Sequence, residues 1–254
     1  MKKIVSLKYQ LKRWTKPLLD ISRIKTFLPK YYNYFQDRKA YSKMKGAESI
    51  RIRDSYPILY DKTVKTSFEK HYFYQDIWAY KKILKNPHDH HIDVGSRVVF
   101  VGFLTAIKKV TFIDIRPLIA SLENFESRKG SVLSMPYSNN SILSLSCLHV
   151  AEHVGLGRYG DPLDPLGTKK AAKELSRVLA PKGLLYFSVP IGKPKLHFNA
   201  HRIHSTKQIM NYFSDLKLLE LSGVDDQGNF IENIDRKLID SQIYGCGFFC
   251  FTKE

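Results

Sequence analysis

"HHIDVGSRVVFVGFLTAIKKVTFIDI", residues 90–115, decides the fold. It opens as a short apolar run that closes on Asp93-Val94-Gly95-Ser96. A helix-length segment follows, and "VTFIDI" is a second run of β-formers that closes on Asp114. Branched and aromatic residues suit strands, and the glycine at the first strand end lets the chain turn tightly into a helix. Strand, helix, strand in that order makes a parallel pair, because parallel neighbours need a long crossover.

The alternation continues downstream. "PLIASLENFESRKG" (117–130) sets Leu118, Ile119, Leu122 and Phe125 at helical spacing between Pro117 and Gly130, which predicts a helix. "SILSLSCL" (141–148) and "LLYFSVP" (184–190) read as strands. Between them, Ala171, Ala172, Leu175, Val178 and Leu179 share one helix face, and Pro181-Lys182-Gly183 ends it. Ser205 and Gln208 stand in capping-box register for a further helix. Two more strands, "LKLLELSG" and "IYGCGFFCFTK", close the chain. The expected fold is α/β: a doubly wound, mostly parallel, Rossmann-like sheet over residues 88–254, preceded by a basic, mainly helical extension over residues 1–87.

Charge divides the chain in the same place. Residues 1–90 hold 21 of the 41 Lys and Arg but only 8 of the 24 Asp and Glu, so most of the net charge of +17 sits there. Basic residues interleaved with aromatics, as in "FLPKYYNYFQ" and "HYFYQDIWAY", suit an anionic membrane surface, a nucleic acid or a phosphorylated substrate. The alternative is a solvated helical extension whose aromatics pack on the main domain. Three cysteines without C-x-x-C spacing argue against a disulfide scaffold. No run reaches the ~20 apolar residues of a membrane span, and "MKKIVSLKYQLKRW" has no apolar core of a signal peptide. The expected location is the cytoplasm, with peripheral contact at the inner membrane face as an option.

In open parallel sheets ligands bind at the carboxyl ends of the strands. That edge gathers Asp93, Asp114 and the H-V-A-E-H segment, residues 149–153. His149, Glu152 and His153 match an inverted zinc-protease spacing, but that motif needs one continuous helix and His149 ends a strand. Three readings of Glu152 and His153 then stay open: a base oriented by a carboxylate, a cation site, or a cap on a short helix. "GLGRYGDPLDPLG" (155–167) reads as a shaped loop in which Arg158, Tyr159, Asp161 and Asp164 offer contacts for an anion or a sugar. His197, His201, Arg202 and His204 enter the same edge after the strand "LLYFSVP", and His201 is a second candidate base. The run "HDHH" (88–91) leads in from the opposite edge and reads as a loop rather than a ligand set.

"HIDVGS", "VTFIDIRP", "SVLSMPYSNNSILSLSCLHVAEHV" and "KELSRVLAPKGLLYFSVP", in this order and spacing, resemble class I S-adenosylmethionine-dependent methyltransferases. D-V-G-S, I-D-I-R-P and L-H-V-x-E-H-V-G-L-G-R-Y-G-D-P resemble, within that superfamily, the DUF268 family often associated with surface-polysaccharide loci. The resemblance implies S-adenosylmethionine as cofactor. It implies Asp93, Gly95 and Ser96 at the methionine end, Asp114 on the ribose hydroxyls and Ile115 against adenine. Ser131 and Val132 would border the adenine edge, with Leu148 and His149 over the other side. It implies methyl transfer to a hydroxyl of a saccharide or glycolipid-linked acceptor, with His153, Glu152 or His201 as the catalytic groups. Arg158, Tyr159, Asp161, His197 and Arg202 would then face that acceptor. No metal ligand set is assigned; a divalent cation is an option at Glu152 and His153, with the cluster of His197, His201 and His204 as a further source of ligands. Two departures stand out: the glycine-rich loop has shrunk to Asp93-Val94-Gly95-Ser96-Arg97, and Ser131 replaces the aspartate that commonly meets the adenine amine. Rival readings are a non-catalytic binding module and an RNA methyltransferase.

Overall fold

The computed structural model describes residues 21–254, which fall into two compact units divided after Ser67. The reading of the first fourteen residues as no signal peptide lies outside the described residues. In the first unit, helix α1 (Ile21–Tyr41) is followed by a mainly irregular segment with one 3-10 turn at Ile52–Asp54. Rings four residues apart meet along α1, as helical spacing requires: Phe27 contacts Tyr31 edge-on at 5.5 Å, and Tyr31 stacks on Phe35 at 6.4 Å. Arg38 donates to the Ile50 carbonyl at 2.9 Å and ties the following segment back to the helix.

The second unit starts at Phe68, not at residue 88. Its first helix, α2 (Lys70–Lys85), buries Gln75, Trp78, Ala79 and Ile83. Trp78 packs on Phe248 at 5.5 Å and donates its indole N–H to Glu220 at 3.0 Å. The aromatics of "HYFYQDIWAY" are thus partly core residues, and this stretch belongs to the main domain rather than to an extension.

After α2 come β1 (His90–Val94), α3 (Val98–Leu104), β2 (Lys109–Asp114), β3 (Phe125–Lys129) and β4 (Ile142–Leu148). Then follow α4 (Gly167–Val178), β5 (Leu179–Ile191), the small hairpin β6 (Lys195–His197) and β7 (His201–Ile203), and α5 (Thr206–Tyr212). The chain closes with β8 (Lys217–Val224), β9 (Phe230–Ile231), α6 (Arg236–Asp240) and β10 (Gly245–Thr252). The main sheet has the order β3-β2-β1-β4-β5-β10-β8-β9. Pairs from β3 through β5 are parallel, and β10 runs antiparallel between β5 and β8. One core joins the sheet to α4, α5 and α6 through Ala171, Leu175, Ile209, Phe213 and Ile239. The other joins it to α2 and α3 through Trp78, Ile83, Phe100 and Leu104. Full burial of residues such as Leu175 and Val178 stabilises the α4 contact by about 1.5–3 kcal/mol each. The capping box at Ser205 and Gln208 forms as the spacing predicts.

Two expectations give way. Residues 117–130 hold no helix: a loop leads into edge strand β3, where Phe125 pairs with Val110. Leu118 and Phe125 pack on the core without a helix, Ile119 is left 98% exposed, and Asn124 takes a left-handed backbone (φ 59) that no helix continues through. His90 and His91 are not loop residues but the start of β1. His91 is wholly buried, with Nδ1 2.7 Å from Ser144 Oγ and Nε2 2.8 Å from Ser146 Oγ.

Candidate active site

The sheet reverses its winding between β1 and β4, and a cleft opens there at the carboxyl ends of the strands, as doubly wound topology requires. One wall is Gly95, Asp114, Ile115, Ser131 and Val132; the other is His149, Val150, His153, Tyr159 and Asp161. The cavity measures about 120 Å³, below the roughly 300–1,000 Å³ of ordinary small-molecule pockets.

Val150 accounts for much of that tightness. Gly95 has a left-handed backbone (φ +67), and a Cβ there would lie 3.2 Å from a Val150 methyl. Even a methyl group there would make a tighter contact than usual, so Val150 crowds the backbone of the shortened glycine loop. The other half is furnished for an adenosine. Asp114 ends β2, and its Oδ1 accepts the Arg116 N–H at 2.7 Å, while its Oδ2 lies on the side of Gly95. Ile115 offers an exposed apolar face, and the Ser131 hydroxyl accepts the Leu133 N–H at 3.1 Å. The Asp114 side of the cleft thus carries an acceptor and an apolar face of the kind an adenosine meets, while Val150 crowds the Gly95 side.

Asp93, Ser96 and Leu148 do not line that cleft; they brace it. Asp93 is wholly buried. It accepts the Ser96 N–H at 3.0 Å and a short bond from Ser146 Oγ, while Ser96 Oγ accepts the Leu148 N–H at 3.2 Å. Burial pushes its carboxyl up to about 6, partly offset by these bonds.

His149 leaves β4 with a left-handed backbone (φ 56), an unusual state for a residue with a side chain. Its Nδ1 lies 2.7 Å from Glu152 Oε1 and its Nε2 3.1 Å from Cys246 Sγ. Burial opposes a charge on His149, but Cys246 and Glu152 more than offset it and hold the pKa well above the ordinary histidine value. Burial would likewise lift Glu152, yet His149, with His153 behind it, keeps the carboxyl low. Glu152 Oε2 is buried with no hydrogen-bond partner.

His153 follows on a single 3-10 turn (Ala151–His153). Its Nδ1 lies 2.6 Å from the Ala200 carbonyl and so donates there, which leaves the Nε2 lone pair free, 3.6 Å from Glu152 Oε1. This tautomer suits a general base on the cavity wall. His201 lies across the β6–β7 hairpin from His197, and neither lines the cavity. Burial holds His201 down to about 4, which keeps the ring neutral near pH 7.

The loop after the 3-10 turn folds on itself. Asp161 accepts from Gly155 N at 2.6 Å and Tyr159 N at 3.3 Å, and Asp164 accepts from Leu166 N at 2.9 Å and pairs with Lys170. Arg202, expected at the acceptor, instead clamps this loop, donating to the carbonyls of Val154 at 2.6 Å and Asp164 at 3.0 Å. Arg158 donates to the Ala200 carbonyl at 3.1 Å. Tyr159 lies between two guanidinium groups, Arg116 at 4.5 Å and Arg158 at 5.0 Å from its ring centre. Of the expected acceptor contacts, Tyr159 and Asp161 line the cavity.

Sequence reasoning passed over Val150, Arg116, His71 and Cys246. Arg116 could have been found from its place two residues beyond Asp114. His71 and Cys246 come from α2 and β10, and only the fold brings them to His149.

The family described as "Caenorhabditis protein of unknown function, DUF268" matches residues 107–236, about half the chain. No curated protein matches in sequence. Among solved structures, the YcgJ protein of Bacillus subtilis is 12% identical, with 72% of this chain and 99% of that one covered at a TM-score of 0.52. The [4+2]-cyclase SpnF is also 12% identical, with coverage of 76% and 84% and a TM-score of 0.52. A protein of Galdieria sulphuraria described as a sarcosine dimethylglycine methyltransferase is 14% identical, with coverage of 72% and 86% and a TM-score of 0.51. Identities this low speak for the fold, which is that of class I methyltransferases, and leave the reaction to the site.

Proposed function

Since the chain belongs to the DUF268 family and has the class I methyltransferase fold, we propose that it transfers a methyl group from S-adenosylmethionine to a hydroxyl of a sugar or lipid-linked saccharide. The observation that carries this reading is the shared cleft. Asp114, Ile115, Ser131 and Val132 face, across one cavity, an imidazole whose Nε2 is free to take a proton. When bound, the cofactor supplies an electrophilic methyl on a sulfonium. The residues of the chain do the rest: Asp114 and Ile115 hold the adenosine, His153 removes the acceptor proton, and the Ala200 carbonyl fixes its tautomer. Tyr159, a phenol that lines the cavity, suits a hydroxylated acceptor.

The basic N-terminal segment supports action on a lipid-linked acceptor at an anionic membrane on the cytoplasmic side. Phe27, Leu28, Tyr32 and Phe35 are exposed on α1, which ends in Arg38 and Lys39. Among the described residues no helix is long and apolar enough to cross a membrane, so contact would be peripheral.

Labelled methyl transfer to lipid-linked saccharides, free saccharides and RNA tests the proposal. Label is expected in the saccharide and lost in His153→Asn with cofactor binding retained. Label in RNA alone would overturn the choice of acceptor, and full activity in His153→Asn would overturn the role of the base. One observation favours a second reading, a module that no longer takes cofactor: Val150 crowds the backbone at Gly95. Such a module would bind no cofactor at all.

A further inference from the structure

Beside the cleft, three donors from three distant segments converge. His71 lies in α2, His149 follows β4, and Cys246 lies in β10; their ligand atoms all lie within 4.8 Å of one another. We propose that His71, His149 and Cys246 form a zinc site. It stands apart from methyl transfer and differs from the cation option at Glu152 and His153.

The chemistry of the donors narrows the ion. Two imidazoles and a thiol, with no carboxylate or carbonyl among them, suit a borderline-soft metal and not magnesium or calcium. His149 Nε2 and Cys246 Sγ are 3.1 Å apart, close to the about 3.5 Å that separates two tetrahedral zinc ligands at ordinary bond lengths. His71, whose ring packs on His149 and Tyr244, completes the set by turning its ring toward the other two donors. It is only partly buried, and among the described residues its ring stacks on His149 (centroids 5.9 Å apart, planes at 9°) but has no hydrogen-bond partner.

The surroundings of His149 also point to an ion. Its Nδ1 is bonded to the buried carboxylate of Glu152, so Nε2 is the nitrogen turned to Cys246. A carboxylate behind a ligating histidine fixes the ring and its tautomer and strengthens the ligand. The left-handed backbone at His149 (φ 56), uncommon in a residue other than glycine, delivers the ring to both partners at once. On binding, zinc takes the place of the Cys246 thiol proton and of any proton on His149 Nε2, and these pass to solvent. Three protein ligands leave a coordination position open, the usual state of a zinc ion that acts on a substrate.

The test reads metal alone, on the full chain without cofactor or acceptor. Protein loaded with zinc and dialysed is expected to retain one ion per chain. Cobalt in its place is expected to show thiolate-to-metal charge-transfer absorption. Cys246→Ser and His71→Ala should abolish both signals, whereas Cys250→Ser, four residues further along β10, should keep them. Glu152→Gln should weaken zinc affinity by about 10–100-fold. If Cys246→Ser does not fold, His71→Ala carries the test, because that side chain is the least buried of the three ligands. No retained zinc in the wild-type chain, or retention unchanged in His71→Ala, overturns the site.

Discussion

Asp93→Asn is the most informative single change, because it removes a charge that the fold buries without touching the cleft wall. Asp93 sits at the end of a chain of hydrogen bonds. Asn86 donates to Ser144 Oγ, Ser144 faces His91 Nδ1, His91 Nε2 faces Ser146 Oγ, and Ser146 donates to Asp93. Burial raises the Asp93 carboxyl from 3.8 to about 6. The folded chain therefore keeps a proton that the unfolded chain gives up between about pH 4 and pH 6. Over that window the wild-type protein loses stability as pH rises, by about 1.4 kcal/mol per unit, or about 3 kcal/mol in all, and the loss is complete above it. An amide cannot ionise. Its N–H can donate to Ser146 while its oxygen still accepts from Ser96, so the serine–histidine bonds reverse direction and need not break.

Urea unfolding of both proteins across a pH series reads the difference directly. Whatever the offset at about pH 4, the stability of Asp93→Asn relative to wild type should climb by about 3 kcal/mol by neutral pH. A flat difference would show that Asp93 ionises freely, and that the buried brace is wrongly described. A falling one would show that its charge is stabilising.

Val150→Ala is expected to tighten S-adenosylmethionine binding by opening the approach over Gly95, and Val150→Phe to weaken it; calorimetry showing neither change would remove Val150 as the gate. Gly155→Ala is expected to destabilise the fold by more than the roughly 1 kcal/mol of an ordinary glycine conformational effect. Gly155 has φ +79, and a Cβ there would lie 2.1 Å from the Asp164 carbonyl oxygen; an unchanged melting temperature would contradict this. Arg202→Ala removes a charged donor from two loop carbonyls, a loss of about 1.5–3 kcal/mol for a typical charge-assisted bond. Faster amide exchange across residues 155–166 should report it, with little change in acceptor affinity beyond that loosening.

Strands were legible where composition alone decides. β1, β2, β4 and the later part of β5 are apolar runs that end in Asp, Gly or a turn, whereas Leu179 to Gly183, read as the end of the helix, open β5; the capping box at Ser205 is a local bond between near neighbours. The stretch over 117–130 was not, because helical spacing of Leu118, Ile119 and Leu122 says nothing about whether a surface exists for them to cover. The boundary at residue 88 failed for a related reason: basic and aromatic residues in α2 looked like an outer extension, but Trp78 and Ile83 are core. In the cleft, position was readable and role was not. Asp114, Ser131 and His153 reach the cavity because strand ends converge there. Asp93 and Arg202 are equally polar, but their bonds go to the protein's own loops. His149 and Cys246 meet across 97 residues of chain, a pairing that only sheet order creates.

The central claim is that the cleft over Asp114, Ile115, Ser131 and Val132 holds the adenosine of S-adenosylmethionine. Titration of the full chain with S-adenosylmethionine and S-adenosylhomocysteine in a calorimeter tests it most directly, with Asp114→Ala in parallel. The account predicts saturable binding of one ligand per chain, lost or weakened at least about tenfold in Asp114→Ala, as expected for a hydrogen-bonded carboxylate worth ~1.5 kcal/mol or more. No heat at millimolar ligand, or equal affinity in Asp114→Ala, would contradict it.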